Sequence, residues 1–258
     1  MNLTNVIINY RRYLKRRNYS QHTLKTYLNK LRQFVLWVDV PIEHVNYDKI
    51  IAYIDYLLDR RLRPETINCH LKSIRRFYSY MRDEKQIAIG NPVRTGCKLR
   101  TSQPLPKHLK DQEVIRLFNV IKSNRDRAMF MLMLRCGLRV EEVANLSLAA
   151  IDWRRSRLYV FNGKGQKDRV VYISRDTYGA LAAYIKKRLS LRVKKVFLVE
   201  KGTHKGKPIS VRGIQKRMEY YAKKSGLPVS CHQLRHTMAT QLLNADADLV
   251  SIQDLLGH

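Results

Sequence analysis

Five side chains of this 258-residue chain share a chemistry although they lie far apart in sequence: Arg139, Lys164, His232, Arg235 and His258. All carry or can acquire positive charge, and no carboxylate cluster accompanies them. Such a set suits phosphodiester chemistry without a metal. Two guanidiniums can grip non-bridging oxygens in bidentate fashion and hold the charge that grows in a pentacoordinate transition state. A lysine or histidine can then protonate the departing oxygen. Singly, each residue is more simply a surface ion pair or a satisfied histidine, so the set gains meaning only from its local contexts.

Other chemistries fit the same segments poorly. His232-Gln233-Leu234-Arg235-His236 puts two histidines on one helical face, at the spacing of a zinc protease helix. Gln233 stands where that motif needs glutamate, Arg235 opposes a dication, and no third ligand has suitable spacing. No metal is expected. Gly163-Lys164-Gly165 and Gly202 to Lys207 lack the GxxxxGK[ST] spacing, and Pro208 stands where Ser or Thr is required. ATP binding is not expected, nor is any other cofactor. Cys231 adjoins His232 without a base and an orienting group to activate it. With Cys69, Cys97 and Cys136 it shows no CxxC spacing, so the four read as free thiols of a reducing compartment, which favours the cytoplasm. A metal-dependent nuclease would need carboxylates that are not clustered here.

Lys and Arg total 50 against 21 Asp and Glu, a formal net charge of +29. That excess strains a compact fold by self-repulsion and calls for a polyanionic partner. Nucleic acid is the first candidate and an anionic membrane surface the second. A membrane anchor concentrates its cations in one tail or one amphipathic helix. Here pairs and triplets recur throughout, among them Arg11-Arg12, Lys15-Arg16-Arg17, Arg75-Arg76, Arg154-Arg155 and Lys186-Lys187-Arg188. That distribution suits a protein that surrounds a duplex. The longest apolar run, Ala128 to Leu134, is too short to cross a bilayer, so no membrane partner is expected.

The elements that must position these residues are mainly helical. Ser20 can cap a helix with apolar Leu24, Leu28, Leu31, Val35 and Val38, and Pro64 and Glu65 open another with Ile67, Leu71, Ile74, Phe77 and Met81 in one stripe. Lys25 lies beside the first stripe, and Lys72, Arg75 and Arg76 lie off the second, so one face packs and the other is cationic. Residues 1–90 therefore read as a helical DNA-binding domain. Residues 91–108 carry Pro92, Pro104 and Pro106 with Arg94, Lys98 and Arg100 and no acidic residue, a semi-extended basic linker. In residues 109–258, Asp111 can cap one helix and Ser123 a second running to Cys136, whose Met129, Met131 and Met133 read as buried packing. Leu158 to Phe161 and Val170 to Ile173 flank a glycine-containing hairpin turn, and helical patterns return near Val211, His232 and Leu249. The fold class is mainly α, a helical N-terminal domain followed by a mixed α domain with a small antiparallel β-sheet.

Four motifs, in order, then carry a family resemblance. Leu134-Arg135-Cys136-Gly137-Leu138-Arg139-Val140-Glu141-Glu142-Val143 resembles the first arginine box of the tyrosine recombinases, the phage integrase and Xer family. His232 to Thr240 is similar to the second box, Leu255-Leu256-Gly257-His258 to the third, and Gly163 to Arg169 to the hairpin that carries the family's lysine. The Ser20, Thr23, Tyr27, Leu31, Phe34 pattern is similar to the N-terminal core-binding domain, so the resemblance spans essentially the whole chain.

The resemblance implies a C-shaped clamp on double-stranded DNA, with a core-binding domain and a catalytic domain. Arg139 and Arg235 would bind the scissile phosphate, Lys164 would be general acid to the 5′ oxygen, and His232 and His258 would bond to the phosphate and assist proton transfer. Glu142 and His236 would orient the arginines. Lys25, Lys72, Arg75, Arg76, Arg94, Lys98 and Arg100 are the candidate DNA contacts. In the family a tyrosine forms a 3′-phosphotyrosine that a 5′-hydroxyl later reverses, without ATP or metal, and the working assembly is a homo-tetramer. The last tyrosine present is Tyr221, and none of the 15 follows the third box. The expectation is a polypeptide truncated before its nucleophile, monomeric as given, that binds DNA without cleaving it in cis. A non-catalytic relative that regulates a full-length recombinase is the alternative.

Overall fold

The computed structural model describes residues 2–102, 107–161, 168–188 and 192–257. The chain divides into two compact units, Met1–Pro104 and Leu105–His258. The helical stripes account for the first. Its helices are α1 (Leu3–Arg16), α2 (Gln21–Trp37), α3 (Tyr47–Asp59) and α4 (Pro64–Lys85). Ser20 caps α2 by accepting the Thr23 N–H at 3.1 Å, and Pro64 supplies the preset first turn of α4. All five residues of the α4 stripe are buried. On α2 the buried face is carried by Leu24, Tyr27, Leu31 and Phe34, while Leu28 and Val35 are only half-buried. The stripe is rotated because aromatic partners, such as Tyr53 edge-on to Phe34 at 5.0 Å, fill the core there.

The basic segment after α4 packs on this unit. Val93 and Cys97 enter its core, and Asn68 clamps Leu99 by donating to its carbonyl and accepting its N–H, both at 2.9 Å. Arg75 ties the same segment to α4, donating to the carbonyls of Val93 (3.2 Å) and Arg94 (2.6 Å). Residues 103–106 lie outside the described residues.

The second unit contains α5 (Asp111–Val120), α6 (Asn124–Arg135), α7 (Val140–Asn145), strands β1 (Ile151–Asp152), β2 (Arg157–Val160) and β3 (Arg169–Tyr172), then α8 (Arg175–Lys187), α9 (Val211–Ser225), α10 (Cys231–Asn244) and α11 (Leu249–Leu256). The strands form an antiparallel sheet in sequence order, with Arg157 opposite Tyr172 and Val160 opposite Arg169. Leu158, Val160 and Val171 face the core, as alternation requires. At the centre lies α6, whose residues Ala128 to Leu134 are all buried, flanked by α8 and α10. The three methionines pack there as expected. Asp111 is the first helical residue of α5 and not its cap. Lys110 holds the cap position, and its N–H donates to Glu113 at 2.8 Å. Among the described residues no helix is long and apolar enough to cross a membrane.

Candidate functional site

The site is built around the turn that leaves α6. Gly137 adopts φ +63°, and a Cβ there would stand 2.6 Å from Met238 Sδ and 2.9 Å from Leu256 Cδ2. Only glycine takes this left-handed conformation against α10 and α11 without strain. Gly137→Ala is expected to lower unfolding stability by about 2–4 kcal/mol, combining left-handed strain with overpacking. A urea midpoint equal to that of the wild type would count against this account.

Beyond the turn, Arg139 occupies the N-cap position of α7, and Glu142 accepts its backbone N–H at 2.7 Å. Ser230 and Gln233 cap α10 reciprocally: Gln233 N–H donates to Ser230 Oγ (3.4 Å), and Ser230 N–H donates to Gln233 Oε1 (2.7 Å). Gln233, which the zinc motif would need as glutamate, is thus a helix-capping residue. The cap sets His232 and Arg235 one turn apart at the start of α10. Among the described residues no group of three or more His, Cys, Asp or Glu could hold a metal ion.

Three arginines converge on the end of α11. Arg169 Nε donates to the Leu255 carbonyl at 2.9 Å, Arg235 Nη2 to the Leu256 carbonyl, and Arg139 Nη2 to the Gly257 carbonyl at 3.0 Å. These consecutive carbonyls belong to the last turn of a helix, where no intrahelical partner exists and the dipole favours cations. A second bond, Arg235 Nη1 to the Gly137 carbonyl, fixes the plane of that guanidinium. Gly257 takes φ +66°, the left-handed C-cap that turns these carbonyls toward the arginines.

One carboxylate serves the group. Glu142 Oε1 accepts from Arg139 Nη1 (3.0 Å) and Arg169 Nη1 (2.9 Å), and Oε2 accepts from Arg169 Nη2 (2.8 Å). Burial alone would raise its pKa, but the Arg169 fork and the Arg139 N–H outweigh burial and hold it below the ordinary glutamate value. Arg235, 5% exposed, is pushed down to about 10 by burial first and by Arg139 second. It remains charged at neutral pH, in a place that disfavours positive charge until an anion arrives. Burial pushes the thiols the other way, Cys136 up to about 12 and Cys231 up to about 11, so neither is a nucleophile at neutral pH.

Arg139, His232 and Arg235 line a single cleft of about 490 Å³, with Glu141, Arg212 and Glu219 also on its walls. The N-terminal turn of α10, with Ser230 and Cys231, forms another wall, and a helix N-terminus favours an anion. His236 lies one turn further on, its Nε2 2.8 Å from His232 Nε2. Lys164 and His258 lie outside the described residues. The sequence reading missed Arg169, Arg212, Glu141 and Glu219. Arg169 closes the hairpin motif and opens β3, a position that gives no sign of its partners.

The candidate DNA contacts lie in the first unit. Lys72, Arg75, Arg76 and Lys98 line one cleft of about 790 Å³ with Tyr19 and Tyr27, while Lys25 and Arg100 are exposed. The Arg94 guanidinium stacks 4.5 Å from the Tyr47 ring centre, and that of Arg76 lies 5.7 Å from Tyr19.

A helical N-terminal unit is followed by a helical unit whose small sheet and capped helices gather Arg139, Arg212 and Arg235 at one anion-favouring cleft. Residues 107–258 match the phage integrase family, and residues 7–85 match the phage integrase N-terminal SAM-like domain. The chain belongs to this family, that of the tyrosine recombinases. It is similar to tyrosine recombinase XerC of Thermodesulfovibrio yellowstonii, with 33% identity over 250 residues covering 93% of this chain and 82% of the relative. Tyrosine recombinase XerA of Thermococcus kodakarensis is 30% identical over 255 residues, covering 98% and 86%. Among solved structures, the Tn1549 transposon integrase in complex with transposon right end DNA shares the fold at TM-score 0.81 and 18% identity, over 98% of this chain and 91% of that one. A lambda integrase dimer bound to a core site does so at TM-score 0.77 and 19% identity, over 100% and 95%.

Proposed function

We propose that this chain acts on double-stranded DNA in site-specific recombination, with Arg139 and Arg235 holding the scissile phosphate. Lys164 donates the proton to the 5′ oxygen, and His232 and His258 bond to the phosphate and assist proton transfer. Glu142 and His236 orient the arginines. The observation that supports this reading is the single cleft that Arg139, His232 and Arg235 share, with two guanidiniums fixed by backbone carbonyls. Substitution of Arg139 or Arg235 in a polypeptide able to cleave is the test of their roles, and retention of cleavage would end this reading.

Lys25, Lys72, Arg75, Arg76, Arg94, Lys98 and Arg100 serve as backbone contacts, consistent with a net charge of +29. Log affinity for duplex DNA is expected to fall against log salt with a slope of about −0.9 for each phosphate neutralised, several units in all. A slope near zero in a fluorescence anisotropy series would contradict a phosphate-gripping protein. The site of action is the cytoplasm, and the assembly on DNA is a homo-tetramer.

Tyr221 is not the nucleophile of this reaction. Tyr221, the last tyrosine of this sequence, is engaged elsewhere: its hydroxyl donates to buried Asp126 at 3.1 Å and accepts from Arg217 at 3.0 Å. Burial and the Asp126 charge raise its pKa, opposite to what a phenolate nucleophile requires. A protein–DNA adduct on a denaturing gel whose linked peptide contains Tyr221 would overturn this assignment.

A further inference from the structure

Arg169 has no part in the roles above, yet all three nitrogens of its guanidinium group donate hydrogen bonds. It makes one bond to the end of α11 and a two-bond fork to Glu142 (2.8 and 2.9 Å). Its side chain is 9% exposed, against 20% for Arg139, and it does not line the cleft. We propose that Arg169 is a positioning residue for the anion site, holding from behind both groups that orient the Arg139 side chain. The proposal rests on Arg139 and Arg235 being phosphate ligands.

Arg139 has two side-chain partners, Glu142 Oε1 and the Gly257 carbonyl. The Arg169 fork fixes the first, because a glutamate carboxylate turns easily about its last torsion unless both oxygens are held in plane. Arg169 Nε fixes the second through Leu255, in the same backbone turn as Gly257. A Cβ on Gly257 would stand 3.2 Å from Arg169 Nη1, so glycine also lets Arg169 lie against that turn. The charges point the same way. Glu142 shared between two guanidiniums leaves a net positive charge, and Arg169 takes up the carboxylate from the rear so that the field of Arg139 is directed into the cleft. A lysine can supply the charge but not the planar fork together with a third bond.

The test uses inorganic phosphate titrated into the 258-residue chain, read by nitrogen-edited NMR of the arginine Nε–H signals. In the wild type the Arg139 and Arg235 signals should move together and saturate. Arg169→Lys, which keeps a cation beside Glu142, should weaken phosphate binding by about tenfold or more, as when the supporting shell of an ion's ligands is removed. Arg169→Met should weaken it at least as much; should that variant fail to fold, Arg169→Lys carries the test. A role in stability alone would lower the melting temperature and leave the phosphate affinity of folded Arg169→Lys unchanged, and that result would overturn the proposal. No movement of Arg139 and Arg235 in the wild type would instead overturn the phosphate-site reading beneath it.

Discussion

Arg235→Ala is expected to slow strand cleavage by about 10²–10³-fold, or roughly 3–4 kcal/mol, while leaving most of the affinity for DNA in place. The measurement is strand cleavage in single turnovers beside equilibrium binding, in a cleavage-competent polypeptide that contains these residues. The asymmetry between rate and affinity follows from where Arg235 sits. Bonds to the Gly137 and Leu256 carbonyls hold the guanidinium before substrate arrives, so little reorganisation accompanies the reaction. Burial and Arg139 make its charge costly, and with a phosphate bound as proposed that cost would fall as negative charge grows on the phosphoryl oxygens. An interaction that strengthens between ground and transition state raises the rate and not merely the binding. Affinity, by contrast, is spread over an excess of 29 positive charges, of which this substitution removes one. Arg235→Lys should recover little of the rate, since one ammonium cannot grip two oxygens in a plane. Equal losses in rate and affinity would make Arg235 an ordinary binding contact.

How far the sequence shows all this depends on whether the determining contacts are local. The α4 stripe, the Ser20 cap and the hairpin strands are local patterns, and each folds as its spacing dictates. The motif contexts single out Arg139, His232 and Arg235, and the structure places them on one cleft. Strand β1 is two residues long, too short for alternation to be visible. Helix α8 carries Thr177 and Gly179 in its interior and buries only Thr177, Leu181 and Tyr184, a stripe too sparse to stand out. Arg169 stands in the hairpin motif, but its role is not legible there for another reason. Its partners are 27 and 86 residues away, and one of them is a backbone carbonyl with no sequence signature at all.

Glu142 should be the most costly single loss to stability in this unit's anion site. It is the carboxylate held between Arg139 and Arg169, and its side chain is 8% exposed. Glu142→Ala leaves buried guanidiniums without their counter-charge, and truncating one partner of a buried ion pair costs about 3–5 kcal/mol. Glu142→Gln keeps the shape but not the charge and should fall between wild type and alanine. The pH dependence has a definite sign. Glu142 has a folded-state pKa below its ordinary value, so its contribution is complete above the ordinary glutamate range and is lost as pH falls through the depressed folded value. The stability gap between wild type and Glu142→Gln should therefore be widest near neutral pH and close in acid. Sulfate or phosphate should narrow the gap near neutral pH as well, because an anion bound beside the arginines replaces the missing charge and stabilises only the folded state. Urea midpoints of both proteins, taken at neutral and acid pH with and without added sulfate, measure all of this. A gap that stays constant with pH, or that sulfate leaves untouched, would mean that Glu142 acts through packing and not through its charge.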